Sequence, residues 1–303
     1  MSELFAEAGL PENVLQYFHC GSISTLEKVI QSPHINHICF TGSVAGGLAI
    51  QKAAAERVVN VGLELGGKDP AYVCRSADPK WAAAEIVDGA IFNSGQSCCA
   101  IERVYVHQDI HEAFVQACKD VLTKYKVGDP SDPSTQIGPV ISKRAKETIQ
   151  SQIDAALQAG ARDETPPNPS FDNLPTRGNF IKPTLLTNVT QSMSVMRDET
   201  FGPVIPVMSV PSDDLAVEYM NDSNFGLTAS IWARTDTEND TSTAEQLAAR
   251  VEAGTVFINR ADYPSPDLAW TGWKDSGRGV TLSRFGFDQF VRYKSFHIKQ
   301  HPK

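Results

Sequence analysis

The sequence predicts an α/β fold of parallel strands joined by crossover helices, and three observations predict it. Short β-branched runs alternate with stretches of helical composition almost to the end of the chain. Gly-containing turns follow several of those strand-like runs. The composition, 41% hydrophobic and 21% charged over 303 residues, supplies enough apolar material for a sizeable core. That length allows one large domain or two ordinary ones.

The elements follow in order. Residues 35–40 (INHICF) read as a short buried strand. The turn Thr41-Gly42-Ser43 leads into an Ala-rich helical stretch, VAGGLAIQKAAAERV. Residues 58–64 (VVNVGLE) are β-branched and predict a second strand, ended by Gly66-Gly67. Residues 70–74 predict a third strand, 80–92 a helix and 103–106 a strand. Residues 110–125 carry Ile110, Phe114, Ala117, Val121 and Leu122 at helical spacing. Two stretches break the alternation. Residues 161–179, rich in Pro, Asn and Asp, predict a surface loop, and 259–279 combine Pro, Gly and aromatic residues without periodicity. Long irregular loops in compact domains are often functional. No internal repeat is present.

Charge and cysteine usage exclude other classes. With 27 Lys+Arg against 36 Asp+Glu the net charge is −9, which argues against binding nucleic-acid backbones. No apolar run approaches the length of a membrane-spanning helix, so no membrane partner is expected. Glu3, Glu7 and Glu12 interrupt the amino-terminal apolar residues, so no signal peptide is expected and the expected compartment is the cytoplasm. Cys20, Cys39, Cys74 and Cys118 are scattered and Cys98 and Cys99 adjacent; no spacing suggests a metal.

Four segments could carry chemistry. Phe40-Thr-Gly-Ser-Val-Ala-Gly-Gly47 lies between a strand and a helix, where helix N–H groups point toward an anion. Taken alone, an ordinary strand-to-helix turn accounts for it better, because the G-x-G-x-x-G spacing is absent. Glu64-Leu-Gly-Gly-Lys-Asp-Pro70 puts a carboxylate at a strand's carboxyl end, where open α/β sheets bind ligands; a solvated turn residue is the alternative. Phe92-Asn-Ser-Gly-Gln-Ser-Cys-Cys-Ala100 places a cysteine in a Gly-containing turn after a helix. Such a thiolate is a carbonyl nucleophile, and a buried structural cysteine is the alternative. In Asp198-Glu-Thr-Phe-Gly-Pro-Val204 an acid suits ribose hydroxyls and an aromatic ring suits a nicotinamide face; a strand entry with a Gly-Pro turn is the alternative.

Together, in this order, the four segments resemble the NAD(P)-dependent aldehyde dehydrogenase superfamily. Glu64 and Cys98 stand 34 residues apart, and the run from GTVFINR through KDSGRG to FVRYKSFHIK is similar to that family's carboxyl end. The resemblance implies a partial Rossmann-type cofactor domain with an α/β catalytic domain. It divides the chain at 1–66 (nucleotide-binding), 67–276 (catalytic) and 277–303 (return to the cofactor domain and an oligomerisation strand). It implies Cys98 as nucleophile and Glu64 as general base. Gly42, Ser43 and Gly47 would face the diphosphate, Leu65 and Gly66 the nicotinamide, Glu199 a ribose and Phe201 the nicotinamide ring. Ser97, Cys99 and Trp270 would line the substrate pocket, with Trp270 at the aldehyde entrance. The implied reaction oxidises a small-molecule aldehyde to an acid with NAD or NADP. A Cys98 thiohemiacetal loses hydride to the cofactor, and the resulting thioester is hydrolysed with Glu64. The Cys98 backbone N–H is the expected oxyanion donor.

The sequence also departs from that family. The resemblance implies a chain shortened at the amino end, with no Pro-Trp-Asn segment and no Lys-Pro segment ahead of Phe40. Val44-Ala45 stands where a Thr and an acid are more usual, and Ala269-Trp-Thr-Gly272 where Pro-Phe-Gly-Gly is. Weak cofactor binding and a homo-oligomer paired through strand 295–299 (SFHIK) are therefore expected. The alternative functions are a non-catalytic binding protein of the same fold, favoured by the shortening, and an esterase that uses Cys98 and Glu64 without hydride transfer.

Overall fold

The computed structural model describes residues 2–261 and 263–301. Its strands are β1 (His37–Thr41), β2 (Asn60–Glu64), β3 (Asp69–Val73), β4 (Ile101–His107), β5 (Arg162–Asp163), β6 (Thr184–Thr187), β7 (Val204–Val210), β8 (Phe225–Gly226), β9 (Thr228–Trp232), β10 (Thr255–Ile258), β11 (Trp273–Lys274) and β12 (Gly277–Arg278). The larger sheet has the order β10-β9-β3-β4-β7-β6-β5 and is parallel except for β5. A smaller sheet runs β1-β2-β12, with β12 antiparallel to β2, and β11 pairs β8.

Strand composition follows from burial on both faces. Every residue of β3 and β9 is buried. Ala71, Val73, Val104, Val106 and Trp232 point into one core; Tyr72, Tyr105 and Ile231 point into the other. Helices cover both sides, as a parallel sheet requires. Helices Pro79–Ile91 and His111–Leu122 supply Ile86, Val87, Phe114 and Leu122 to the first core. Helices Lys143–Gln158 and Asp213–Asn221 supply Ile149, Ile153, Val217 and Met220 to the second. Asp78 caps the Pro79 helix by accepting from the N–H groups of Lys80 and Trp81, a contribution of about 1 kcal/mol. Ile30, Ile50, Val61, Leu63 and Leu65 form a third core under the smaller sheet.

Two stretches differ from the sequence expectation. The 161–179 loop contains β5 and a short helix, Pro169–Asp172. It is tied down because Phe171 enters the core and the Asn168 amide donates to the carbonyls of Leu122, Thr123 and Tyr125. Within 259–279 lie β11 and β12, two-residue strands too short to show a period, and Trp270 bridges Thr281 just beyond. Residues 295–299 are exposed, and among the described residues no strand pairs with them. Among the described residues no helix is long and apolar enough to cross a membrane, and no group of three or more His, Cys, Asp or Glu could hold a metal ion.

Candidate active site

The site begins with where the strands stop. β1 ends at Thr41 and β2 at Glu64, and the two are paired in register there. Thr41 leads into helix Val44–Ala54, whose N-cap Ser43 accepts from the N–H of Gly46. Glu64 leads through Leu65, Gly66 and Gly67 into β3. This connection is held from the far end of the chain, since Gly277 of β12 pairs with Glu64 and the Leu65 N–H donates to Ser276 O at 2.9 Å. A β-carbon at Gly66 would lie 2.2 Å from Glu199 Oε1, so a side chain there would displace that carboxylate.

Cys98 is delivered by a strained turn. Helix Pro79–Ile91 ends in Phe92–Gly95, where Asn93, Ser94 and Gly95 have φ of 50°, 60° and 73°. Left-handed Asn and Ser cost about 1–3 kcal/mol each and persist only where surroundings enforce them. Here the Asn93 amide donates to Gln96 O, the Gln96 amide to Asn93 O, and Ser94 Oγ to Gly138 O. Ile141 N–H donates to Gln96 Oε1 at 2.8 Å. A side chain at Gly95 would meet Gly202 O at 2.2 Å, so this turn packs directly on the segment that carries Glu199 and Phe201.

The adjacent thiols part company. Cys98 is half-buried, whereas Cys99 is 3% exposed and packs with Leu227 and Trp270. Ser97 Oγ lies 3.5 Å from Cys99 Sγ.

Thr41, Gly42, Ser43, Glu64, Leu65, Gly66, Cys98, Glu199 and Phe201 line one cavity of about 420 Å³. The structure thus brings together eight of the residues singled out from sequence: Gly42, Ser43, Glu64, Leu65, Gly66, Cys98, Glu199 and Phe201. Gly47 is buried behind the wall, where its missing side chain admits Leu65. Ser97, Cys99 and Trp270 are not part of this lining. Trp270, 9% exposed, donates its indole N–H to the Glu64 carboxylate. Thr281 Oγ1 donates to Glu64 Oε1 at 2.8 Å.

Burial dominates the electrostatics. It pushes the Glu64 carboxyl up, against the opposing pull of the Thr281 and Trp270 hydrogen bonds. Burial, and then the Glu102 charge, push Glu199 up to about 7, while Gly67 N–H and Lys68 oppose the shift. Asp69 is fully buried and pushed well up by burial; Oδ2 accepts from Thr228 N–H and Oγ1, and Oδ1 has no hydrogen-bond partner.

A dinucleotide suits these walls. The first-turn N–H groups of a helix lack intrahelical partners and favour anionic phosphate, and those of Val44–Ala54 open at Ser43. The Glu199 carboxylate lies against the bare backbone at Gly66, on the same cavity as Phe201.

Sequence reading missed the polar groups behind the cavity, Lys68, Asp69, Glu102 and Thr200, all buried. One signal was present: Glu102-Arg103 interrupts an otherwise apolar strand, and charges there need partners.

Fold and site together define an α/β protein with a cysteine and a glutamate facing one cavity, between the carboxyl ends of β1 and β2 and the amino ends of β3, β4 and β7. The chain matches the Aldehyde dehydrogenase family over residues 1–296 and belongs to that family. It is 36% identical over 296 residues to an aldehyde dehydrogenase of Paenarthrobacter nicotinovorans, covering 97% of this chain and 62% of that protein. It is 34% identical over 288 residues to a probable betaine aldehyde dehydrogenase of Schizosaccharomyces pombe, covering 95% and 56%. The structure resembles an NAD-dependent aldehyde dehydrogenase from Sinorhizobium meliloti, with a TM-score of 0.90, 33% identity and coverage of 99% and 59%. It also resembles a succinic semialdehyde dehydrogenase from Streptococcus pyogenes complexed with NADP+, with a TM-score of 0.90, 31% identity and coverage of 98% and 63%. The chain therefore spans about three fifths of the length of the relatives it matches.

Proposed function

We propose that this chain carries the nucleophile, base and nicotinamide side of an aldehyde-oxidising site that uses NAD or NADP. The observation that carries the reading is the shared cavity: Cys98 and Glu64 face it together with Glu199 and Phe201. Cys98 Sγ attacks the carbonyl carbon of an aldehyde and forms a thiohemiacetal. Phe201 and Glu199 would hold the cofactor, which would supply the acceptor for the hydride that leaves the thiohemiacetal carbon as its C–H bond breaks. The acyl group is then held on Cys98 as a thioester. Glu64 removes a proton from water, the water attacks the acyl carbon, the C–S bond breaks and the thiolate is restored. Residues 1–66 and 277–303 form the cofactor side of this reading and 67–276 the catalytic side. Self-association belongs to it as well, supported by the exposed Phe287, Tyr293, Phe296 and Ile298 near the carboxyl end. The deciding experiment is aldehyde-dependent appearance of NADH or NADPH absorbance with the purified chain, beside an ester hydrolysis assay. Ester hydrolysis alone would replace the dehydrogenase reading by the esterase one; neither signal would leave a binding protein.

Two expected outcomes follow from the electrostatics. Glu199 is a neutral acid below pH of about 7 and a carboxylate above it. Only the carboxylate accepts from both hydroxyls of a ribose. Affinity for NAD or NADP should therefore rise about tenfold between about pH 6 and about pH 8, with proton release on binding. Calorimetry in buffers of different ionisation enthalpy measures both, and a flat profile with no proton release counts against the ribose role.

The second concerns Trp270. Its indole N–H stabilises the charged form of Glu64. Trp270→Phe keeps an aromatic ring and removes that donor, so the Glu64 ionisation should move to higher pH, and the rate should rise at a more alkaline pH. Trp270→Ala should in addition lose about 3–5 kcal/mol of stability. If Trp270→Phe instead leaves the pH profile in place and reorders aldehydes by size, the residue acts as an entrance wall.

A further inference from the structure

We infer that Lys68 and Glu102 are positioning residues that pin the Glu199–Phe201 segment to the chain segments bearing Glu64 and Cys98. Lys68 closes the Glu64-Leu-Gly-Gly segment, and Glu102 follows the Cys98 turn into β4. The two meet at 2.8 Å with Lys68 1% and Glu102 3% exposed. Lys68 Nζ also donates to Thr200 Oγ1 at 2.9 Å.

Glu102 spends both oxygens on the third segment. Oε2 accepts from Thr200 N–H at 2.7 Å and Oε1 from Phe201 N–H at 2.8 Å. Thr200 Oγ1 donates onward to Gln152 Oε1 at 2.7 Å, and the Gln152 amide donates to Glu199 O at 3.3 Å. Arg103 Nε fixes the backbone at the other end, donating to Lys68 O at 2.8 Å. Phe201 sits at φ 51°, a conformation that a Phe keeps only where its surroundings over-determine it.

A buried ion pair is a poor source of stability, since apolar residues of like volume often do as well. Two adjacent backbone N–H groups held by one carboxylate is a geometry that an apolar pair lacks. The arrangement fixes the two peptide units between Glu199 and Phe201, whose side chains both line the cavity. Holding them before a ligand arrives removes the ordering cost from binding.

The cofactor arm of this inference rests on the proposed reading of the cavity; an exchange arm does not. In Glu102→Gln the carboxylate no longer serves both N–H groups. Amide hydrogen exchange at Thr200 and Phe201 should rise at least tenfold relative to amides of β3 and β4. Binding of NAD or NADP, read by tryptophan fluorescence, should weaken at least tenfold. Thr200→Val is the second variant should the first fail to fold. It keeps the branched shape, removes the hydroxyl that links Lys68 to Gln152, and should show the same pattern, with Thr200→Ser restoring both readouts. Uniformly faster exchange across β3, β4 and residues 199–201 would overturn the inference and leave a structural ion pair. Should the unmodified chain bind neither NAD nor NADP, the cofactor reading falls and the exchange measurement still decides the pin.

Discussion

Cys98→Ala is expected to abolish aldehyde-dependent cofactor reduction and ester hydrolysis together, by at least about 10⁴-fold, while leaving the fold intact. The size follows from chemistry: without the thiol no covalent intermediate forms. The selectivity follows from packing. Cys98 is half-buried and lines the cavity, so its substitution leaves only a small void. Cys99 packs with Leu227 and Trp270, so Cys99→Ala should cost stability and spare turnover. Cys74 and Cys118 are buried and their thiols are pushed far up by burial, which keeps them from reacting at neutral pH. Iodoacetamide labelling mapped by peptide mass gives the check. Exposed Cys20 and Cys39 will take label too, with the Cys39 thiol pushed up by burial and by Glu64. Loss of activity should track the modification of Cys98 and be slowed by aldehyde. Tracking with Cys99, or full turnover in Cys98→Ala, would remove the nucleophile assignment.

The parts of this protein that sequence made legible are local. Strands β1 to β4 and the helices between them come from short runs whose β-branched or Ala-rich character suits buried parallel strands and packed helices. Glu64 and Cys98 stand out because each follows a regular element and sits beside glycines. What was hidden depends on distant pairing. Nothing near Thr281 or Trp270 announces that both will donate to Glu64, more than 200 positions earlier. Lys68 and Thr200 look like ordinary surface residues until the fold buries them against Glu102, whose place in an apolar strand was the one hint. The left-handed turn at Asn93 and Ser94 was hidden for another reason. Tertiary hydrogen bonds to the Gly138 carbonyl and from the Ile141 N–H hold it, overriding a local preference that gave no warning.

Glu64→Gln separates the two halves of the proposed reaction. Acyl-enzyme formation needs the Cys98 thiol and a bound cofactor; deacylation needs a base beside the thioester. Glu64 lines the same cavity as Cys98, and burial raises its affinity for a proton, which is what a base working near neutrality needs. A glutamine there keeps size and can still accept the Thr281 hydroxyl, so the fold and the walls should hold. It has no ionisable oxygen with which to take a proton from water. The steady-state rate should therefore fall about 10²–10⁴-fold. A rapid burst of reduced cofactor, close to one equivalent per active site, should survive. Rapid mixing of the variant with aldehyde and NAD or NADP measures both, and mass analysis of the quenched protein should show the acyl group on Cys98. The pH profile gives a second check, because the residual steady-state rate of the variant should lose the ionisation that burial of Glu64 raises. If burst and steady state fell by the same factor, Glu64 would be acting before the thioester exists, as the group that takes the thiol proton from Cys98, and water activation would have to come from elsewhere in the cavity.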